Sequence, residues 1–339
     1  MLNQKNIELV KESFLKDLII VTGAPASGKS VLAPIVSSLE RTENFKMDIL
    51  LEYIGIMHYL GKLSSDVLRF LFRNTVDFML YDNMIGRNLN FRFGDETSIF
   101  NTNDPEKYFD RLLAERGEFV INEIEEIRPL LVLALSNAFW HVKDWFEAFP
   151  FLKMIQIRRH PTDIVYSWYN HRYGEGVKSS KSAKNVSVTY GSETYNSKIN
   201  QVALIRMGNN IVPYYALGWE NDYMKMCEMD RVIYMIDTIN KHYYKALESL
   251  SDKEYNNLLF LTFDETVVDT NLTLDKICQF LNTSKTNYTS HVLERERCPR
   301  ILQKNSRDNK FDKIKELASK KGFNLFKSMH HNYYNWSNR

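Results

Sequence analysis

Residues 23–30 read Gly-Ala-Pro-Ala-Ser-Gly-Lys-Ser and fit the pattern G-x-x-x-x-G-K-[ST]. An apolar run, Asp17-Leu18-Ile19-Ile20-Val21-Thr22, precedes them, and a helical pattern from Val31 to Leu39 follows. A strand, a glycine-rich turn and a helix start aim backbone N–H groups at one spot, and Lys29 adds a full charge there. Such a turn binds phosphate or sulfate-like oxygens. Gly23, Ala26, Ser27, Gly28, Lys29 and Ser30 are therefore expected to hold the anionic part of a donor. The turn alone leaves open which group is transferred.

A second group with chemistry lies in Ile155-Gln156-Ile157-Arg158-Arg159-His160-Pro161-Thr162-Asp163-Ile164-Val165-Tyr166-Ser167-Trp168-Tyr169. An apolar strand delivers two arginines to its carboxyl end, and Pro161 suits the first turn of a helix. Ser167 falls two turns into that helix. Arg159 can fork onto a phosphate, and the Ser167 hydroxyl can add a hydrogen bond. Ligands of open parallel sheets bind outside the carboxyl ends of the strands, so both groups are expected at one edge.

An acceptor hydroxyl needs a general base. Asp48 and Glu52 are four residues apart and share a face if that stretch is helical. Their apolar surroundings, Met47 to Ile54, favour a raised carboxyl pKa. His58, and Glu123 with Glu125 after an expected strand, are further candidates. Asp264 and Glu265 follow another apolar strand; with Ser30 they could hold Mg²⁺ as a P-loop kinase requires. The stretch Gly86 to Glu96 mixes aromatics with Arg, Asn and Asp, which suits sugar hydroxyls and rings as well as an ordinary loop.

Strand and helix signals alternate, as a parallel α/β sheet requires. Strands are expected at 17–22, 119–122, 152–157 and 258–263, with an extended piece at 45–48. Helices are expected at about 28–40, 49–87, 129–148, 161–171, 228–250, 272–281 and 310–321. The fold class is α/β: a three-layer α/β/α arrangement with a central parallel sheet of P-loop type and helical and loop insertions. A single domain is expected over 1–339. It carries a helical insertion at about 49–116, a polar lid or disordered loop at about 174–209 and a basic C-terminal tail at about 298–339.

The 339 residues are 44% hydrophobic, enough for a sizeable core, and the net charge of +2 lacks the basic bias of a nucleic-acid binder. Cys227, Cys278 and Cys298 lie far apart with no metal-ligand spacing. They suggest a reduced, cytoplasmic protein. The mixed, charged first residues show no secretory pattern, and no apolar stretch approaches the ~20 residues of a spanning helix.

The spacing Arg159-x-Pro161-x-Asp163-x-x-x-Ser167 resembles the 3′-phosphate signature of the sulfotransferases that use 3′-phosphoadenosine 5′-phosphosulfate. In that family a P-loop-like turn holds the 5′-phosphosulfate, and the later Arg and Ser hold the 3′-phosphate. Leu258 to Glu265, followed by a helix from Leu272 to Leu281, is similar to a third family element. The three occur in the family's order, from residue 18 to about 282. The chain departs from the pattern at Ala26, where Lys or Arg is common, and at Lys29, where Thr is common. The usual C-terminal Arg-Lys-Gly loop is missing, and Arg300, Lys304 and Arg307 lie where it would be.

The resemblance implies a sulfotransferase with 3′-phosphoadenosine 5′-phosphosulfate as donor and no metal requirement. Lys29, Asp48 and Glu52 are its expected catalytic residues. Arg159, Ser167, Arg300 and Arg307 join the turn in donor binding. The expected acceptor is a carbohydrate or other small molecule, with no nucleic-acid partner. A P-loop ATP-dependent small-molecule kinase and a non-catalytic nucleotide-binding module are the alternatives.

Overall fold

The computed structural model describes residues 7–174, 183–190, 193–200 and 203–337. They fall into two compact units, Met1–Arg158 with Lys245–Ile301, and Arg159–Tyr244 with Leu302–Arg339. The chain begins with β1 (Leu18–Gly23), α1 (Lys29–Val36), α2 (Ile49–Tyr59), α3 (Ser65–Met84), α4 (Glu106–Asp110) and α5 (Glu118–Ile127). It continues through β2 (Leu131–Ser136), α6 (Val142–Ala148), β3 (Lys153–Arg158) and α7 (Pro161–Asn170). Two hairpins follow, β4 (Ala183–Tyr190) with β5 (Glu193–Asn200) and β6 (Leu204–Met207) with β7 (Asn210–Pro213). After α8 (Glu220–Lys225), α9 (Glu228–Glu248) and α10 (Asp252–Tyr255) come β8 (Leu258–Thr262), α11 (Phe263–Val268) and α12 (Thr270–Leu281). The chain closes with α13 (Asn287–Arg295), α14 (Lys304–Leu317) and α15 (Lys320–Ser337).

The first unit is built on a four-stranded parallel sheet in the order β2-β1-β3-β8. Side chains alternate across a strand, so the two faces can be read from parity. Ile19, Val21, Val132, Ala134, Ile155, Ile157 and Leu261 join one core with Leu32, Ile35 and Val36 of α1 and Leu274 and Ile277 of α12. Leu18, Ile20, Leu131, Leu133 and Met154 face the other way and are equally buried. Burial on both faces is what makes these strands continuous apolar runs and requires helices on both sides.

Two expectations fail here. Residues 119–122 are not a strand but part of α5, whose Val120 and Ile124 are buried at a four-residue spacing. Residues 129–148 are not one helix: Leu131–Ser136 is β2, paired along its length with β1 from Leu18↔Leu131 to Gly23↔Ser136. Its Leu- and Ala-rich composition favours helix locally, yet a short apolar run buried on both faces belongs in the middle of a sheet. The expected helix at 49–87 is broken into α2 and α3 around Gly61, whose φ is +66°. The extended piece at 45–48 is present, with Lys46 bridged to Leu133 in parallel. It carries the chain alongside β2 and straight into α2.

Of the polar segment 174–209, residues 175–182, 191–192 and 201–202 lie outside the described residues, and the rest contains the β4–β5 hairpin and the start of the β6–β7 hairpin. The second unit is organised around α7. Trp168 is buried with its ring against Tyr173 and Tyr215. His160 caps the helix by accepting from the Thr162 N–H, and its ring meets His330 and Tyr333 of α15 edge-on.

Deep in the first unit, Glu43 accepts a forked pair from Arg111 at 2.8 and 2.9 Å, the Tyr108 hydroxyl at 3.1 Å and Asn83 at 2.7 Å. Burial by itself raises a carboxyl pKa, but the Arg111 fork and neighbouring Lys107 hold Glu43 down at about 2. Arg111→Ala strands this carboxylate and should destabilise the protein by about 3 kcal/mol in urea unfolding, against about 1 kcal/mol for Tyr108→Phe. Glu43's contribution is full above its unfolded pKa near 4.5 and is lost as pH falls through about 2. Wild type should therefore lose stability over that window faster than Glu43→Gln, and parallel acid profiles would contradict the assignment.

Candidate functional site

The strand order reverses beside β1, because β2 lies on one side of it and β3 on the other. Ligands of doubly wound sheets sit outside the carboxyl ends at such a point. Residues 23–30 occupy the end of β1 there. Ala26 and Gly28 take positive φ values of 63° and 111°, which curls the turn so that successive N–H groups face inward. At Gly28 a side chain would meet the ring of Phe263 as well as the unfavourable φ. Gly23 lies so close to the Ile157 carbonyl and the Ser27 hydroxyl that it too admits no Cβ.

The turn fits an anionic group. Ser27 is 1% exposed, and its Oγ has no protein hydrogen-bond partner among the described residues. The first amides of α1 have no acceptor within the helix. Lys29 Nζ lies over the turn and donates to the Gly23 and Ala24 carbonyls, both at 3.0 Å. Burial pushes its pKa down to about 8, while the nearby Glu52 carboxylate works in the opposite direction.

Glu52 is the carboxylate that the fold brings to Lys29. Asp48 caps α2 by accepting the Leu51 N–H at 2.9 Å, and Glu52 follows one turn later. Glu52 Oε1 accepts the Ser136 N–H at 2.6 Å at the carboxyl end of β2. The next residue, Asn137, donates its N–H to the Gly23 carbonyl at 3.2 Å. Burial raises the Glu52 pKa against the pull of the Ser136 N–H and Lys29. Ser136 and Asn137 were not among the expected site residues; reading 131–136 as a strand would have put them at the ligand edge.

Glu123 and Glu125 belong elsewhere. They lie on α5, which enters β2 at its amino end, and Glu125 pairs with Lys16 just before β1. That is the sheet edge opposite the turn. Glu265 closes a capping box with Thr262, accepting its N–H and hydroxyl. His58 turns its ring to His141 and Ser65. Arg300 donates to the Glu296 and Arg297 carbonyls, with its guanidinium 5.8 Å from the Phe263 ring centre.

Arg159 and Ser167 belong to the second unit, Arg159 directly after β3 and Ser167 within α7. Ser167 Oγ lies 3.5 Å from His171 Nδ1. Asp163, in the first turn of α7, accepts from Arg307 at 2.7 Å and Lys310 at 2.6 Å, so α14 carries two cations to the start of α7. Burial opposes ionisation of Asp163, but these two cations hold its carboxyl below the ordinary range.

The Lys29–Glu52 coupling has a direct test. The Nζ signal of isotopically methylated lysine should titrate near pH 8 for Lys29. In Glu52→Gln the opposing negative charge is gone, so the midpoint should fall further. An unchanged midpoint would separate the two groups.

A family model described as the sulfotransferase domain matches residues 16–336. No curated protein sequence matches the chain. Among solved structures, the sulfotransferase domain of the Synechococcus PCC 7002 olefin synthase is 12% identical with a TM-score of 0.42, covering 94% of this chain and 96% of its own. The sulfotransferase domain from the curacin biosynthetic pathway is 12% identical with a TM-score of 0.41, covering 81% and 77%. A mouse sulfotransferase complexed with PAP is 12% identical with a TM-score of 0.32, covering 91% and 88%. With the domain match running over nearly its whole length, this chain belongs to the sulfotransferase family.

Proposed function

We propose that the chain moves a sulfuryl group from 3′-phosphoadenosine 5′-phosphosulfate to an acceptor hydroxyl by in-line displacement. The observation that carries this reading is the half-buried Lys29–Glu52 pair at the ligand edge of the sheet, Lys29 held on the Gly23 and Ala24 carbonyls and Glu52 on the Ser136 N–H. The acceptor oxygen attacks sulfur, the bond from sulfur to the donor's phosphate oxygen breaks, and the electron pair leaves with the phosphate. The acceptor's proton passes to Glu52, whose pKa burial raises, making it a stronger base than a solvated carboxylate. Lys29 swings from the Gly23 and Ala24 carbonyls to the oxygens that gain charge. Asp48 serves by capping and so aiming α2. The transfer step itself draws on no metal.

Donor binding is assigned to the turn, with Ser27, Ser30 and the amides of Gly28 and Lys29 on the 5′ side. Arg159 and Ser167 take the 3′-phosphate, and Arg300 and Arg307 are its C-terminal cations. Of the two acids that a kinase reading offers to Mg²⁺, Asp264 and Glu265, the second is committed to its capping box. A cytoplasmic setting belongs to the same proposal, in keeping with three cysteines that are all free.

A carbohydrate acceptor follows the sequence reading of the 86–96 stretch. A second reading rests on the surface around Glu52, where Met47, Ile49, Leu50, Tyr53 and Met57 are exposed. Such a surface favours an alcohol with an alkyl or aromatic body. A panel of sugars and apolar alcohols with labelled donor decides between them.

Excess 3′-phosphoadenosine 5′-phosphate should raise the melting temperature, since a ligand at 100 times its Kd adds about 2.7 kcal/mol. ATP with Mg²⁺ should not, and stabilisation by ATP alone would overturn the donor assignment. Arg159→Ala should weaken donor binding by about 10- to 100-fold, the loss of one charge-assisted hydrogen bond. Lys29→Ala and Glu52→Gln should each slow transfer by at least about 100-fold. The rate should rise with pH as Glu52 ionises and fall as Lys29 deprotonates, and Glu52→Gln should lose the rising limb. A variant profile that keeps that limb would remove Glu52 as the base.

A further inference from the structure

At the far end of α2 from Asp48, His58 faces His141 from the segment between β2 and α6, and Asp144 stands in the first turn of α6. One donor atom from each of the three lies within 4.8 Å of the other two, and all three are half-buried. We propose that His58, His141 and Asp144 form a binding site for a divalent transition-metal cation of the Zn²⁺ type, with water in the fourth position. Two imidazoles and a carboxylate with one open position is a donor set that such cations take.

The spacing of the histidines supports this. His58 Nδ1 and His141 Nδ1 are 3.3 Å apart. Two donors about 2.0–2.1 Å from a tetrahedral ion stand about 3.3–3.4 Å from each other. A hydrogen bond between the rings has the same length, so the spacing alone does not decide.

The supports around the rings add a second observation. His58 Nε2 lies 3.2 Å from Ser65 Oγ, a contact that orients the ring and leaves Nδ1 as its inward donor. His141 packs its Cδ2 and Nε2 side against Gly55, where a Cβ would stand 3.0 and 3.3 Å from those atoms. Nδ1 of His141 is thereby turned towards His58. The His58 ring is held through its outer nitrogen, as ligating histidines are, and the His141 ring by packing against Gly55.

Asp144 supplies the charge. Arg69 Nη1 is 2.7 Å from Glu147 and only 3.7 Å from Asp144, so the arginine is engaged chiefly by Glu147. A bound ion ties the end of α2 to the start of α6. It stands apart from the transfer step and braces the helix that carries Glu52. None of the three residues is needed for the donor assignments above, so the two readings fail independently.

The test is a Co²⁺ titration of the full chain, because four-coordinate Co²⁺ shows intense visible bands. Wild type should take up one equivalent, and Zn²⁺ should displace it. His58→Ala and His141→Ala should each weaken binding at least about 100-fold, and Ser65→Ala about 10-fold through loss of ring orientation. His291→Ala, outside the cluster, should bind as wild type does. Histidine nitrogen NMR of wild type covers the case of a variant that does not fold: Zn²⁺ should shift the Nδ1 signals of His58 and His141. Wild type without bands at millimolar Co²⁺, unmoved Nδ1 signals, or undiminished binding in both alanine variants would overturn the site.

Discussion

The Gly23 carbonyl is the point on which the site turns. One lone pair accepts Lys29 Nζ and the other accepts the Asn137 N–H. The first bond folds the lysine back over its own turn. The second joins the end of β1 to the end of β2, where the Ser136 N–H holds Glu52. A single peptide oxygen thus connects the cation, the turn and the strand end that positions the carboxylate. It can do so only because Gly23 has no side chain to collide with the Ile157 carbonyl of β3.

Two glutamates in the same unit show how surroundings move a carboxyl pKa in opposite directions. Glu43 is surrounded by the Arg111 fork, Tyr108, Asn83 and Lys107, and its charge is fixed. Glu52 has the Ser136 N–H and hydroxyl and the opposing Lys29 charge, too little to offset burial, so its pKa moves up. A carboxylate with every lone pair satisfied is a strut. One whose partners fall short of offsetting burial holds its proton more tightly.

Several parts of this arrangement were legible in the chain. The turn at 23–30 and the arginine–proline–serine spacing at 159–167 are local patterns, because adjacent residues create the geometry they need. The capping of α2 by Asp48 and the position of Glu52 one turn later are local as well. The misreadings at 119–122 and 129–148 came from short apolar runs, where helix and strand bury the same residues and only the neighbours arbitrate. The β1–β2 register made Leu131–Ser136 a strand, and with it moved Glu123 and Glu125 to the opposite edge. His141 and Asp144 lie more than 80 residues from His58 in the chain and show no metal-ligand spacing with it; only folding puts them within 4.8 Å.

The sequence by itself determined the glycine-rich turn after the first strand and the parallel α/β class. Each rests on contacts within a few residues or on the period of an apolar run. The tertiary structure decided which carboxylate meets Lys29, which acids are caps or distant surface pairs, and which histidines come together. Those outcomes depend on strand order and helix packing, which bring residues far apart in the chain to one edge and set how much water each charge keeps.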